Sequence, residues 1–297
     1  MVAKSDKEFF VPADSDGRNN MMRRLYEKYG EIRVYPIAKS IMSRPIDAVH
    51  IGEGEMYVCV FAAHHALESI TSNIAYMLVD YLLYGSGVGR IYDVDCKLLL
   101  SKYCFIIVPC VNPDGIELRY HGASGSPIYD RQMRMSGGDF STWQANARGV
   151  DLNHNYDAGF YRYAALARDM GIMPGASRYG GEYPESEPES RGVANLVRTL
   201  FPSAVISLHS QGEEIYAFPD TPRVSRVAKR ISAMTGYSIG VPEGTAAFSG
   251  LCDYTASLGI PSFTFEVGRG KNPLPESDVS AIFERVGKAI VTLPTLL

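Results

Sequence analysis

The sequence predicts an α/β fold built as a single domain, with strands buried between helices. Two observations predict it. Short apolar runs alternate along the chain with stretches whose apolar residues recur at helical spacing, the pattern of a sheet covered by helices. The 297 residues also carry no internal repeat, no low-complexity run and no Gly/Ser-rich or Pro-rich linker, so a single core suffices.

The strands are expected at IRVYPIA (32–38), YVCVFAA (57–63), CFIIVPCV (104–111), AVISLHS (204–210) and PSFTFEV (261–267). After the second run, Ile70, Ile74, Leu78, Tyr81 and Leu82 fall at helical spacing and predict a helix from about Glu68 to Tyr84. Between about Tyr120 and Tyr183 the chain is rich in Gly, Tyr and Arg and has little periodicity, which predicts long loops forming the walls of a cleft. Ser186-Glu187-Pro188-Glu189 offers a capping box, and Val193, Leu196, Val197 and Leu200 follow as one apolar stripe. A final stripe of Val279, Ile282, Phe283, Val286 and Ile290 predicts a C-terminal helix.

A net charge of −4 with 46% hydrophobic and 21% charged residues is the profile of an ordinary soluble globular protein. It lacks the basic stripe that nucleic-acid binding requires. The opening MVAKSDKEFFVPADSDG holds no apolar segment long enough for a secretory signal, and no run approaches the roughly 18 apolar residues of a membrane span. The expectation is a soluble cytoplasmic chain, or a secreted one if a signal has been removed. The five cysteines, Cys59, Cys96, Cys104, Cys110 and Cys252, are odd in number and three lie in apolar runs, so buried free thiols are expected. Oligomeric state is not legible.

The chemistry begins in YVCVFAAHHALES, where His65 and Glu68 stand three apart as a strand gives way to a helix. At that spacing both can converge on one metal. HxxE alone is a weak signal. His64 has no acid three residues on and is expected as a packed or hydrogen-bonded neighbour. AVISLHSQGEEIY supplies a third ligand in His209, on the same side of its strand as Ser207. Taken alone, such a residue is more often a satisfied core histidine. Two nitrogens and one carboxylate nonetheless match the ligand sets of catalytic zinc, which keep a position open for a water whose pKa falls toward about 7. PSFTFEVGRG ends an apolar run with Glu266, and a carboxylate there is costly unless paired or used. Arg269 is its candidate partner in the first case; in the second, the carboxylate is a base.

HAxE, NPDG, GVDLNHN, SLHS and SFTFE occur in the order and at about the separations of the M14 metallocarboxypeptidase superfamily of zinc peptidases, which the chain resembles from about Pro45 to Leu274. The resemblance implies a single-domain carboxypeptidase-like α/β fold, a mixed, mostly parallel twisted sheet flanked by helices. It places an N-terminal segment at 1–30 and the catalytic domain at 31–297. It implies one zinc ion on His65, Glu68 and His209, with Glu266 as general base. By the same resemblance Asn153 helps bind the substrate's terminal carboxylate, Ser210 joins the substrate-binding set, and Arg148 in WQANARGVDLN polarises the scissile carbonyl.

Two departures bear on the substrate. Digestive carboxypeptidases carry an arginine directly after that Asn, whereas this chain has His154, which weakens bidentate carboxylate recognition. The family's active-site tyrosine has no clear match, because counting back from Asp253 and Tyr254 reaches Thr245 and Phe248. WQANARGVDLNHNYDAGF, HSQGEEIY and FEVGRGKNPLP resemble instead the bacterial branch that cleaves γ-D-glutamyl-diamino acid bonds. That resemblance implies a peptidoglycan stem peptide as partner, cut between γ-D-glutamate and meso-diaminopimelate or lysine, without the LysM wall modules such enzymes often carry. Arg269 and Lys271, just past the base, are expected either to meet the diamino acid's carboxylates or to be solvated surface charges. A conventional carboxypeptidase is the alternative. A non-catalytic peptide-binding homologue is disfavoured by retention of all three ligands and the base.

Overall fold

The computed structural model describes residues 6–91, 93–244 and 247–297. Helix α1 (Ser15–Tyr29) leads into strands β1 (Arg33–Lys39), β2 (Pro45–Ile51) and β3 (Met56–Ala62). A short 3-10 turn at Ala66–Glu68 precedes α2 (Ile70–Val88). A small hairpin, β4 (Arg90–Ile91) and β5 (Val94–Asp95), then α3 (Cys96–Lys102), lead to β6 (Tyr103–Val108). Next come α4 (Pro113–His121), α5 (Tyr129–Ser136), α6 (Phe160–Asp169) and α7 (Pro188–Leu200). The chain continues through β7 (Ala204–His209), β8 (Glu214–Phe218), α8 (Pro222–Thr235), β9 (Ser238–Ile239), α9 (Leu251–Ser257) and β10 (Ser262–Glu266), and closes with α10 (Val279–Leu296).

The main sheet has eight strands in the order β1-β2-β6-β3-β7-β10-β8-β9. Its centre, β6-β3-β7-β10, is parallel, while β1, β2 and β8 join antiparallel, giving a mixed sheet. The central strands read as nearly continuous apolar runs because helices cover both of their faces. On one face Val58, Val60, Phe105, Ile206, Leu208, Phe263 and Phe265 pack against α2, α8 and α10, and Met21 and Leu25 of α1 join the same cluster. On the other, Cys59, Phe61, Ile106, Val108 and Val205 meet Val193 and Val197 of α7 and Leu251 and Tyr254 of α9. Gly192 lets α7 close on β1, since a Cβ there would lie 2.5 Å from the Ala38 Cβ.

The five expected strands are present, and β2, β8 and the two-residue β9 are additional in the main sheet. PIDAVHI is interrupted by Asp47 and His50, and EIYAF is short and half-buried, so neither shows a long apolar run. The loops expected between Tyr120 and Tyr183 contain α5 and α6. The capping box at Ser186 does not form. Glu187 occupies the N-cap without a side-chain cap bond, the Ser186 hydroxyl donates to Glu187 instead, and the Glu189 carboxylate accepts from the Ile41 N–H and the Asn146 amide. All five cysteines are buried thiols. Among the described residues no helix is long and apolar enough to cross a membrane.

Candidate active site

The parallel strands β3, β7 and β10 end side by side, and the chemistry stands at their C-terminal ends. His65 follows β3 as the N-cap of the 3-10 turn that ends at Glu68. Residues three apart eclipse one another in that geometry, so the turn aims both side chains the same way. His209 is the last residue of β7 and is paired in register with Glu266, the last of β10.

The four donor atoms form a closed set. Nδ1 of His65 lies 2.9 Å from one Glu68 oxygen, and Nδ1 of His209 lies 3.0 Å from the other. Ligand atoms of these three residues lie within 4.8 Å of one another, the one such group of three or more among the described residues. The Nε2 of His65 is 3.0 Å from Oδ1 of Asp151, which fixes the tautomer and leaves the Nδ1 lone pair facing inward. Asp151 is itself anchored, accepting backbone N–H bonds from Arg178 and Asn153. Two imidazole nitrogens beside a buried carboxylate, with an oriented outer shell, fit a zinc ion. Burial pushes the Glu68 carboxyl up, but the two histidines outweigh it and hold it at about 2. Burial also opposes ionisation of Asp151, and His65 and His154 hold it well below the usual range.

His64 is the buried neighbour expected. Its Nε2 lies 2.8 Å from the Tyr156 hydroxyl and its ring stacks on His209 at 5.6 Å. Among the described residues Glu266 forms no ion pair with an arginine or lysine. Arg269 lies 3.2 Å from Glu213 instead, and burial pushes the Glu266 carboxyl up to about 7. A raised carboxyl of that kind is suited to taking and returning a proton near neutrality.

A cavity of about 130 Å³ is lined by His65, His209 and Glu266 together with Asn153, His154, Gly250, Cys252 and Asp253. Thr264 of β10, Tyr216 and Phe218 of β8, and Pro242 complete the lining. Asn153 accepts the Leu251 N–H, and the His154 ring stacks on Tyr163 at 4.0 Å while its Nδ1 faces the Phe248 carbonyl. A larger cavity, about 470 Å³, lies at the opposite end of the sheet around His50, Gly52 and Leu100, away from these groups.

Several residues expected at the site are placed elsewhere. Arg148 does not line the cavity: its Nε donates to Glu187 at 2.9 Å and a terminal nitrogen reaches the Ser186 carbonyl. Arg269 and Lys271 are exposed and outside the lining. Ser210 is buried beside the triad, its N–H donating to Glu68 and its hydroxyl to Asn272. Phe248 packs under the Arg162 guanidinium at 4.2 Å, and Thr245 lies outside the described residues. Asp151, Cys252 and Asp253 carry no assignment from sequence. The DLN motif held a signal for Asp151; nothing local marked the other two.

The family model described as zinc carboxypeptidase matches residues 19–286. The gamma-D-glutamyl-L-diamino acid endopeptidase 1 of Lysinibacillus sphaericus is 30% identical over 273 residues, covering 89% of this chain and 68% of that protein. The murein peptide amidase A of Escherichia coli K12 is 31% identical over 112 residues, 35% of this chain and 34% of that one. In structure, thrombin activatable fibrinolysis inhibitor superposes with a TM-score of 0.77 at 22% identity, covering 98% of this chain and 75% of its own.

Proposed function

Because the chain belongs to the zinc carboxypeptidase family, we propose that it hydrolyses the amide bond between γ-D-glutamate and a diamino acid, meso-diaminopimelate or lysine, in peptidoglycan-derived peptides. The observation that carries this choice of bond is the cavity lining. Among the described residues it contains no arginine or lysine, and His154 stands where digestive carboxypeptidases place their carboxylate clamp. A site without that clamp lacks the fixed cation by which a digestive carboxypeptidase grips a C-terminal carboxylate, and it must hold its substrate by other groups. The similarity to an endopeptidase named for this bond class supports the same choice.

Zinc held by His65, Glu68 and His209 supplies a Lewis acid and lowers the pKa of a water toward about 7. The protein's own groups do the rest. Asp151 keeps the His65 ring turned inward. Glu266 accepts the proton of the attacking water and passes it to the departing amine. The Asn153 carbonyl is engaged by the Leu251 N–H, which leaves its NH2 free to donate to a substrate oxygen. Arg148 is held by Glu187, so no role at the scissile carbonyl is assigned to it.

Incubating the protein with L-Ala-γ-D-Glu-L-Lys, L-Ala-γ-D-Glu-meso-diaminopimelate and an ordinary L-peptide, with and without a chelator, tests the proposal. Mass spectrometry should find L-Ala-D-Glu and the diamino acid, and chelation should abolish both. Cleavage confined to the C-terminal residue of the ordinary peptide would replace the proposal with a conventional carboxypeptidase.

A further inference from the structure

Helix α8 carries its charge where it costs stability. The free N–H groups at a helix start sum to a partial positive charge, which acids in the first turn relieve and cations aggravate. The first turn of α8 has no acid, and Arg223, Arg226 and Arg230 stand three and four residues apart along one face of the helix. Like charges at those spacings repel. Val224, Val227, Ala228 and Ile231 already tie the helix to the core, so the arginines are not needed to seat it. All three are exposed on a chain whose net charge is −4, which makes the cluster a local reversal of the molecule's charge.

The three side chains line a single cavity of about 250 Å³ together with Val227, Leu296 of α10 and Leu297. Arg223 is engaged there: its Nε donates to the main-chain oxygen of Leu297 at 2.8 Å, and a terminal nitrogen donates to the same oxygen. Arg226 and Arg230 form no hydrogen bond, ion pair or ring contact among the described residues. Asp220, the acid nearest in sequence, precedes the helix and accepts from the Ser225 hydroxyl at 3.4 Å. At a rise of ~1.5 Å per residue, Arg223 and Arg230 are about 10 Å apart along the axis. A lone phosphate is too small to meet the whole row, whereas successive phosphoryl groups can. Guanidinium forks match paired phosphoryl oxygens. The lining holds no aromatic ring to stack a base and no carboxylate to receive an amine, so it can read only negative charge and oxygen atoms.

We propose that this face of α8 is a binding site for a chain of phosphoryl groups, supplied by an oligophosphate or by the backbone of a phosphodiester polymer. Arg226 and Arg230 grip successive groups, and Arg223, held by Leu297, closes the row. The site shares no lining residue with the cavity at the triad and stands independently of the bond assigned above.

Calorimetric titration of the zinc-loaded protein with inorganic phosphate, tripolyphosphate and a glycerol phosphate hexamer tests this. Three proteins are compared: wild type, Arg226→Gln with Arg230→Gln, and Lys229→Gln, which removes an exposed cation of the same helix outside the lining. Phosphate taken by the metal is common to all three, so the differences report on α8. Tripolyphosphate or the hexamer should bind wild type, and whichever binds identifies the source. The double variant should lose about ten-fold or more in that affinity, and Lys229→Gln less than about two-fold. Inorganic phosphate should show no comparable difference. Absence of binding, equal binding by all three proteins, a loss as large in Lys229→Gln, or an equal loss for inorganic phosphate overturns the proposal. The double variant should melt no lower than wild type, because it removes like charges from the first half of a helix. If it does melt lower, Arg230→Gln alone carries the comparison, and an affinity unchanged there overturns the proposal as well.

Discussion

Glu266 is under two opposed demands. Burial favours its neutral form, while acting as a base requires that it ionise, and the site sets the balance by placing it beside a cation-binding triad rather than beside an arginine. Replacing Glu266 with Gln should leave one zinc per chain, read by metal analysis, while turnover falls by about 10²- to 10⁴-fold, the usual range for a positioned acid-base group. Undiminished turnover would remove Glu266 from the mechanism. The clustering of His65, His209 and Glu266 was legible because each stands at or just past the end of an apolar run, and a polar group at such a point needs a reason. Arg148 was not. Its partner Glu187 lies 39 residues away, and nothing beside Arg148 in sequence announces the capture. The His65–Asp151 contact spans 86 residues and was equally hidden from local pattern.

At the level of elements, the start of α7 shows how a correct stripe can accompany a wrong cap. Val193 and Val197 bury as their spacing predicts, yet Glu189 turns into a polar core between the 40–44 turn and the loop at Asn146. Burial first, with Asp114 and Glu187 nearby, pushes its carboxyl up to about 8. The folded protein therefore keeps a proton that the unfolded chain releases near its ordinary pKa of 4.5. Its contribution is whole below about pH 4.5 and is lost as pH rises through about 8. Glu189→Gln should remove this slope, so that urea titrations at pH 5 and pH 8 differ less in the variant than in wild type, by a few kcal/mol at about 1.4 kcal/mol per pKa unit. A slope equal to that of wild type would show Glu189 ionised in the fold. The strands missed from sequence have a related cause: β2 and β8 mix polar and apolar residues, and only pairing with β6 and β10 makes them strands.

For the whole molecule, the sheet order brings together at one edge of β3, β7 and β10 what the chain scatters over positions 65, 68, 209 and 266. A metal on the triad ties β3 to β7, so it binds the folded chain and not the unfolded one. The melting temperature should therefore rise with free zinc, by the equivalent of about 2.7 kcal/mol at a hundred times the dissociation constant, and fall on chelation. A melting curve indifferent to zinc and chelator would exclude the triad as a metal site. The alternation of runs was enough to read the α/β class, because each central strand is apolar by itself. Which strands are neighbours depends on crossovers through whole helices and leaves no mark in any one segment. That layout has a kinetic side. The parallel pairs β3–β7 and β7–β10 join segments separated by long stretches of chain, and contacts of that kind form only after large loops have closed. The His65–Glu68–His209 set is thus expected to assemble late in refolding, and a metal held there would lock the finished fold without guiding the search.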